Sequence, residues 1–134
     1  MSLYVDASAM LKLYVDEPES ASCEAIMVAD PQWLTARHTE VEVRRNLSRL
    51  LSGRVLDSAG RQFAVDWDRC DVIELDTTTC RLAAEIAEVT GARSLDALHL
   101  GAAGRVGAGQ SGFLTYDLRQ AQIARTLGWD VRGA

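Results

Sequence analysis

Two hydrophobic periods alternate along this chain. Short apolar runs at Leu3–Val5, Trp33–Thr35, Val72–Leu75, Gly112–Tyr116 and Trp129–Val131 have the length and residue types of strands. The segments between them carry apolar residues at helical spacing. Ala7 onward places Met10, Leu13 and Tyr14 on one side, and Ala21–Ala29 does the same with Cys23, Ile26 and Met27 after a break at Asp16–Ser20. A long helix is expected from about Thr35 or Thr39 to Leu51, burying Val43, Leu47, Leu50 and Leu51, with Gly53 as its stop. Further helices are expected at Asp57–Trp67 (Phe63, Ala64 and Trp67 inward) and Thr77–Thr90 (Leu82, Ile86 and Val89 inward, Gly91 at the end). One more starts at Ser94 as N-cap and carries the small residues Gly101, Ala102, Ala103 and Gly104; Leu118–Leu127 is the last. Strands alternating with helices predict an α/β fold. A central parallel sheet carries helices on both faces, in three α/β/α layers.

Composition narrows the picture without deciding it. With 134 residues the chain is expected to be a single domain, residues 1–134. No apolar run approaches the ~20 residues of a membrane span, so a cytoplasmic location and no membrane partner are expected. The net charge of −5 argues against a strongly basic nucleic-acid-binding module, though not against an enzyme whose acidic metal site lowers the total. Thirteen of the fourteen basic residues are arginine, the exception being Lys12, a bias that a GC-rich genome explains first. Cys23, Cys70 and Cys80 are odd in number and widely spaced, and His38 and His99 are far apart in sequence. A zinc site of the usual pattern is therefore not expected, and the cysteines are read as reduced and at least half-buried.

The chemistry is carried by acids at element junctions. Asp6 follows the first strand and Asp117 follows the Gly112–Tyr116 strand. In an open parallel sheet the carboxyl ends of the strands share one edge, where ligands bind. Asp96 lies in the first turn of its helix, and Glu42 early in the long helix after Trp33–Thr35. Each has a structural reading as well. Asp6 and Asp117 suit helix caps, and Asp117 with Gln120, like Thr39 with Glu42, fits a capping box. Taken together, four carboxylates at one edge repel unless a cation neutralises them. Oxygen ligands with no His or Cys among them select Mg²⁺ or Mn²⁺. Periodicity alone leaves open whether Glu40 or Glu42 points into that pocket.

Three segments resemble the PIN-domain ribonucleases, and within them the VapC-type toxins of type II toxin–antitoxin pairs. They are Tyr4-Val5-Asp6-Ala7-Ser8-Ala9 followed by Lys12-Leu13-Tyr14, Ser94-Leu95-Asp96-Ala97-Leu98-His99-Leu100, and Leu114-Thr115-Tyr116-Asp117 with Ala121, Ala124 and Leu127-Gly128. Thr39–Leu47 is a weaker fourth match, in which Glu42 is the better counterpart of the family's acid. The resemblance implies a Mg²⁺-dependent endoribonuclease, with Mn²⁺ able to substitute. Asp6 and Asp96 would be the main ligands, Asp117 would complete the shell, and Glu42 would bind metal or deprotonate the attacking water. In-line attack on an RNA phosphodiester would leave a 5′-phosphate and a 3′-hydroxyl. Ser8, Thr115 and Arg93 are candidate substrate contacts, and Arg44, Arg45 and Arg49 further ones. A cognate antitoxin and a homodimer are also implied. His38 stands where the family usually has an apolar residue, and no catalytic role is assigned to it. The alternatives are a PIN nuclease of RNA processing and a phospho-receiver signalling module. The second needs a lysine late in the chain, which this sequence lacks.

Overall fold

The computed structural model describes residues 2–134. Among them run β1 (Ser2–Val5), α1 (Ala7–Leu11), α2 (Ser20–Ala29), β2 (Gln32–Ala36), α3 (His38–Leu50), α4 (Gly53–Asp68) and β3 (Asp71–Ile73). They continue as α5 (Thr77–Thr90), α6 (Ser94–Gly104), β4 (Ser111–Thr115), α7 (Leu118–Thr126) and β5 (Asp130–Gly133). The sheet order is β3-β2-β1-β4-β5, and every neighbouring pair is parallel. Leu3 sits opposite Trp33 on one side and Gly112 on the other. All carboxyl ends therefore lie on one edge, as expected of this α/β/α arrangement.

The pleat explains the layers. Successive side chains point to opposite faces. Leu3, Val5, Trp33 and Leu114 join Met10, Met27, Val43, Leu47 and Phe63 in one apolar cluster, so α1 to α4 cover that face. Tyr4, Leu34, Ala36 and Phe113 join Ala83, Ala97, Leu100, Ala102, Ala103 and Ala124 in the other, so α5 to α7 cover the opposite face. Such two-sided burial makes β1 and β4 buried at every position rather than at alternate ones.

Several boundaries differ from the sequence reading. Gly53 does not stop α3; at φ 59° it opens α4, and only Leu51 and Ser52 separate the two helices. Ser94 is the first helical residue of α6, and extended Arg93 (φ −66°, ψ 156°) takes the cap position without a side-chain bond. Thr39 lies inside α3, so it forms no capping box. Its hydroxyl is 2.8 Å from that of Thr35, which donates to the Val5 carbonyl at 2.7 Å. Leu50, Ala64 and Val89, expected inward, are exposed, at the margins of apolar stripes wider than the surface they cover. Cys23 is buried and Cys70 half-buried as read, but Cys80 is exposed; all three are free thiols. Among the described residues no helix is long and apolar enough to cross a membrane.

The small-residue face of α6 lets it press against α5. A Cβ at Gly101 would lie 2.9 Å from both the Cβ and the backbone nitrogen of Ala83. Gly101→Ala is therefore expected to destabilise by about 1–2 kcal/mol, because overpacking outweighs the gain in helix propensity. Urea unfolding measures it, and an unchanged midpoint would show that α5 moves aside freely.

Candidate active site

Asp6 begins where β1 ends. It is 3% exposed, and both oxygens are held. Oδ1 accepts from Ser8 Oγ at 2.6 Å and from the Ala9 amide at 3.1 Å, and Oδ2 accepts from Thr115 Oγ1 at 2.5 Å. The cap of α1 and the acid at the carboxyl end of β1 are thus the same group, as one carboxylate has lone pairs for all three donors. Burial pushes its pKa up, against the pull of His99, Ser8, Thr115 and Ala9. Ser8 and Thr115 are committed to this carboxylate. Ser8 Oγ also accepts from the Tyr116 amide at 2.9 Å, and Thr115 Oγ1 from the Asp117 amide at 3.1 Å.

Asp117 caps α7, accepting from the Gln120 amide at 3.0 Å. Gln120 does not return the bond that a capping box requires. Its buried side chain instead donates to the Asp96 carbonyl at 3.3 Å, tying the start of α7 to the start of α6. Arg105 at the end of α6 pairs with Asp76 at the start of α5 at 3.0 Å. The two helices are therefore antiparallel, and the contacts of the Asp96 carbonyl with Gln120 at the start of α7 and of the Leu95 carbonyl with His38 at the start of α3 hold the first turn of α6 at the carboxyl edge. Burial raises the Asp96 pKa, and Asp117, Asp6 and Glu42 raise it further against the pull of His99. A carboxyl crowded by three other acids is what a bound cation would stabilise. Among the described residues no Lys or Arg pairs with any of the four.

Of the two glutamates, Glu42 turns toward this edge. His99 Nε2 lies 2.8 Å from its Oε1, and His38 Nε2 lies 3.5 Å from the same oxygen. Glu40 turns instead toward Arg37, 3.9 Å away. His99 is buried on α6 with Nδ1 2.8 Å from the Tyr4 hydroxyl, so a line runs from β1 through α6 to α3. His38 is buried too, its Nε2 3.2 Å from the Leu95 carbonyl and its ring centroid 4.1 Å from that of His99. Burial, then His99, lowers the His38 pKa to about 4, which leaves the imidazole neutral near pH 7.

The expectation of an all-oxygen pocket with no histidine nearby is therefore wrong. The set whose ligating atoms all lie within 4.8 Å of one another, among the described residues, is His38, Glu42 and His99. Both histidines carried a signal in the sequence. His99 follows Asp96 by three residues and His38 precedes Glu42 by four, spacings that share a helix face. Arg93 is exposed beside the first turn of α6. Arg44 lines a groove between α3 and α4 with Leu47, Leu56 and Gly60.

Comparison with known proteins agrees with this architecture. Residues 3–126 match the PIN domain family. The chain is 34% identical over 132 residues to ribonuclease VapC46 of Mycobacterium tuberculosis, covering 97% of this chain and 95% of that protein. Among solved structures, the M. tuberculosis toxin VapC20, which cleaves the sarcin–ricin loop, superposes with a TM-score of 0.75 at 17% identity, covering 97% of this chain and 98% of that one. A toxin–antitoxin complex from Klebsiella pneumoniae gives a TM-score of 0.70 at 12% identity, covering 98% and 96%. The PIN-domain match across nearly the whole chain, with a VapC ribonuclease at one-third identity, makes this chain a member of the PIN-domain family and, within it, of the VapC ribonucleases.

Proposed function

We propose that this chain is a Mg²⁺-dependent endoribonuclease, the toxin of a type II toxin–antitoxin pair. In this reading residues 1–134 act as one PIN domain in the cytoplasm, Asp6, Asp96, Asp117 and Glu42 hold the metal, and Mn²⁺ substitutes for Mg²⁺. The observation that carries it is the gathering of four acid-bearing segments at one sheet edge with no Lys or Arg partner among the described residues, Glu42 alone being paired, with His99 and His38. A hard divalent ion suits that donor set. Family membership supports RNA as substrate, and the antitoxin-bound relative supports a cognate antitoxin. A homodimer is part of the proposal.

Bound there, the ion supplies Lewis acidity and a water whose pKa is lowered toward neutrality. The chain's own residues do the rest. Ser8, Thr115 and the Ala9 amide fix Asp6 in one orientation, so no reorganisation is needed as charge develops. Thr115 links Asp6 to the Asp117 amide, and Gln120 links Asp117 to Asp96, so three of the acids are held as one frame. Glu42, oriented by His99, takes the proton of the attacking water. In-line attack leaves a 5′-phosphate and a 3′-hydroxyl. Arg93 contributes to backbone phosphate binding.

The phospho-receiver reading falls on Lys12. It is buried and bound to Glu17 at 3.4 Å and Glu19 at 3.2 Å, so it is not available to a phosphoryl group. The test of the nuclease reading is chelation. EDTA should lower cleavage of a structured RNA by at least about 10²-fold, and Mg²⁺ or Mn²⁺ should restore it, with 5′-phosphate ends on the products. Cleavage that persists in EDTA, or products ending in 2′,3′-cyclic phosphate, would overturn it. Growth arrest on expression, relieved by a small neighbouring gene product, separates the toxin from an RNA-processing nuclease.

A further inference from the structure

We propose that His38, Glu42 and His99 form a second cation site, specific for a borderline transition-metal ion of the Zn²⁺ class, sharing Glu42 with the carboxylate pocket. Two imidazoles and one carboxylate are the donor set of that class, whereas Mg²⁺ takes oxygen ligands. Zn–N and Zn–O bonds of about 2.0–2.2 Å in tetrahedral geometry set ligand atoms roughly 3.4 Å apart. Glu42 Oε1 is 3.5 Å from His38 Nε2 and 2.8 Å from His99 Nε2, and the three ligand atoms all lie within 4.8 Å of one another, so small side-chain adjustments bring them round one ion.

The ligands come from two helices, and the ring of His99 is the one fixed from behind. His38 and Glu42 stand one turn apart on α3, and His99 comes from α6 across the sheet edge, so the site joins the two helical layers. A metal-bound histidine needs a partner on its second nitrogen to fix the ring. His99 has one in Tyr4, whose hydroxyl is 2.8 Å from Nδ1 and whose own ring is fully buried and stacked on Phe113 at 5.0 Å. His38 Nε2 donates to the Leu95 carbonyl at 3.2 Å, so ligation moves its proton to Nδ1, which is buried without a partner. Glu42 has no ion-pair partner among the described residues except these two histidines. An ion held here draws Glu42 away from the carboxylate pocket, so it antagonises the hard metal. That consequence rests on the nuclease reading, while the binding itself does not.

Tag-free full chain, stripped with EDTA and dialysed, is titrated with Co²⁺ followed by visible absorption, and with Zn²⁺ by calorimetry. One equivalent of each should bind, with Co²⁺ d–d bands of a low-symmetry nitrogen–oxygen site. His38→Gln and His99→Gln should each weaken binding by at least tenfold, more than Asp96→Asn or Asp117→Asn, which lie outside the donor set. Histidine ¹H–¹⁵N spectra of the unmutated chain read the same event without a variant, through large shifts of Nε2 in both rings on adding Zn²⁺. Absence of saturable binding, unmoved Nε2 resonances, or binding lost in the aspartate variants but kept in the histidine variants would overturn the site. In each of those outcomes Mg²⁺-dependent cleavage by the same preparation stands or falls separately.

Discussion

Asp6→Asn should reduce RNA cleavage by about 10³-fold or more, equivalent to roughly 4 kcal/mol of barrier, and leave the fold intact. The two halves of that expectation have separate causes. Asn keeps the shape of Asp and ranks with it as a helix cap, so the Ala9 amide and Ser8 hydroxyl keep their acceptor at Oδ1. At the other position the Asn amide would donate to Thr115 Oγ1, a hydroxyl with lone pairs to receive it. Burial already disfavours the Asp6 charge, so the metal-free variant should melt at or above the unmutated chain. What disappears is the negative charge at the end of β1. The increase in melting temperature that Mg²⁺ gives the unmutated chain should therefore vanish along with cleavage. Circular dichroism melts with and without Mg²⁺, run beside a cleavage assay, measure all three. Cleavage within tenfold of the unmutated chain would remove Asp6 from the site.

The same contrast between frame and chemistry explains what the sequence disclosed. Asp6 was legible as a cap at the carboxyl end of β1 because its position depends only on local order: a buried strand, then an acid, then helix formers. The bounds of α5 were legible for the same reason, with Asp76 as cap and Gly91 in the left-handed conformation at φ 74° as stop. Gly53 was not, because a glycine at positive φ serves either end of a helix, and only the packing of α4, through its Leu56 and Phe63, into the cluster with Val43 and Leu47 decides. Leu50 and Val89 failed because a helical stripe is wider than the strip of sheet it covers, so apolar residues at its margins stay in water. The meeting of His38 and His99 is a tertiary event: one ring comes from each helical layer, and they touch because α3 and α6 begin at the same edge. Nothing in either local segment states that. Spacing did place Asp96 with His99 and His38 with Glu42 on common helix faces, and the parallel sheet brings those two faces together.

Glu42→Gln should lower cleavage by at least about 10²-fold, while Glu40→Gln should leave it within about twofold. The sequence left these two acids competing, since they stand two positions apart at the start of one helix. The structure separates them by their partners. Glu40 faces Arg37 at 3.9 Å, a loose and partly exposed pair whose loss matters little. Glu42 faces inward over the edge, 2.8 Å from a buried histidine and close enough to Asp96 to raise its pKa. Gln at position 42 can still accept from His99 through its amide oxygen, so the line from Tyr4 through His99 persists and the fold is not the cause of the loss. The missing property is the capacity to take a proton or to hold a cation. These two can be told apart within the same variant: Mg²⁺ affinity read from the melting shift falls if Glu42 is chiefly a ligand, and holds while turnover falls if it is chiefly the base. If Glu40→Gln is the inactive variant and Glu42→Gln cleaves normally, the assignment of Glu42 to the pocket is wrong.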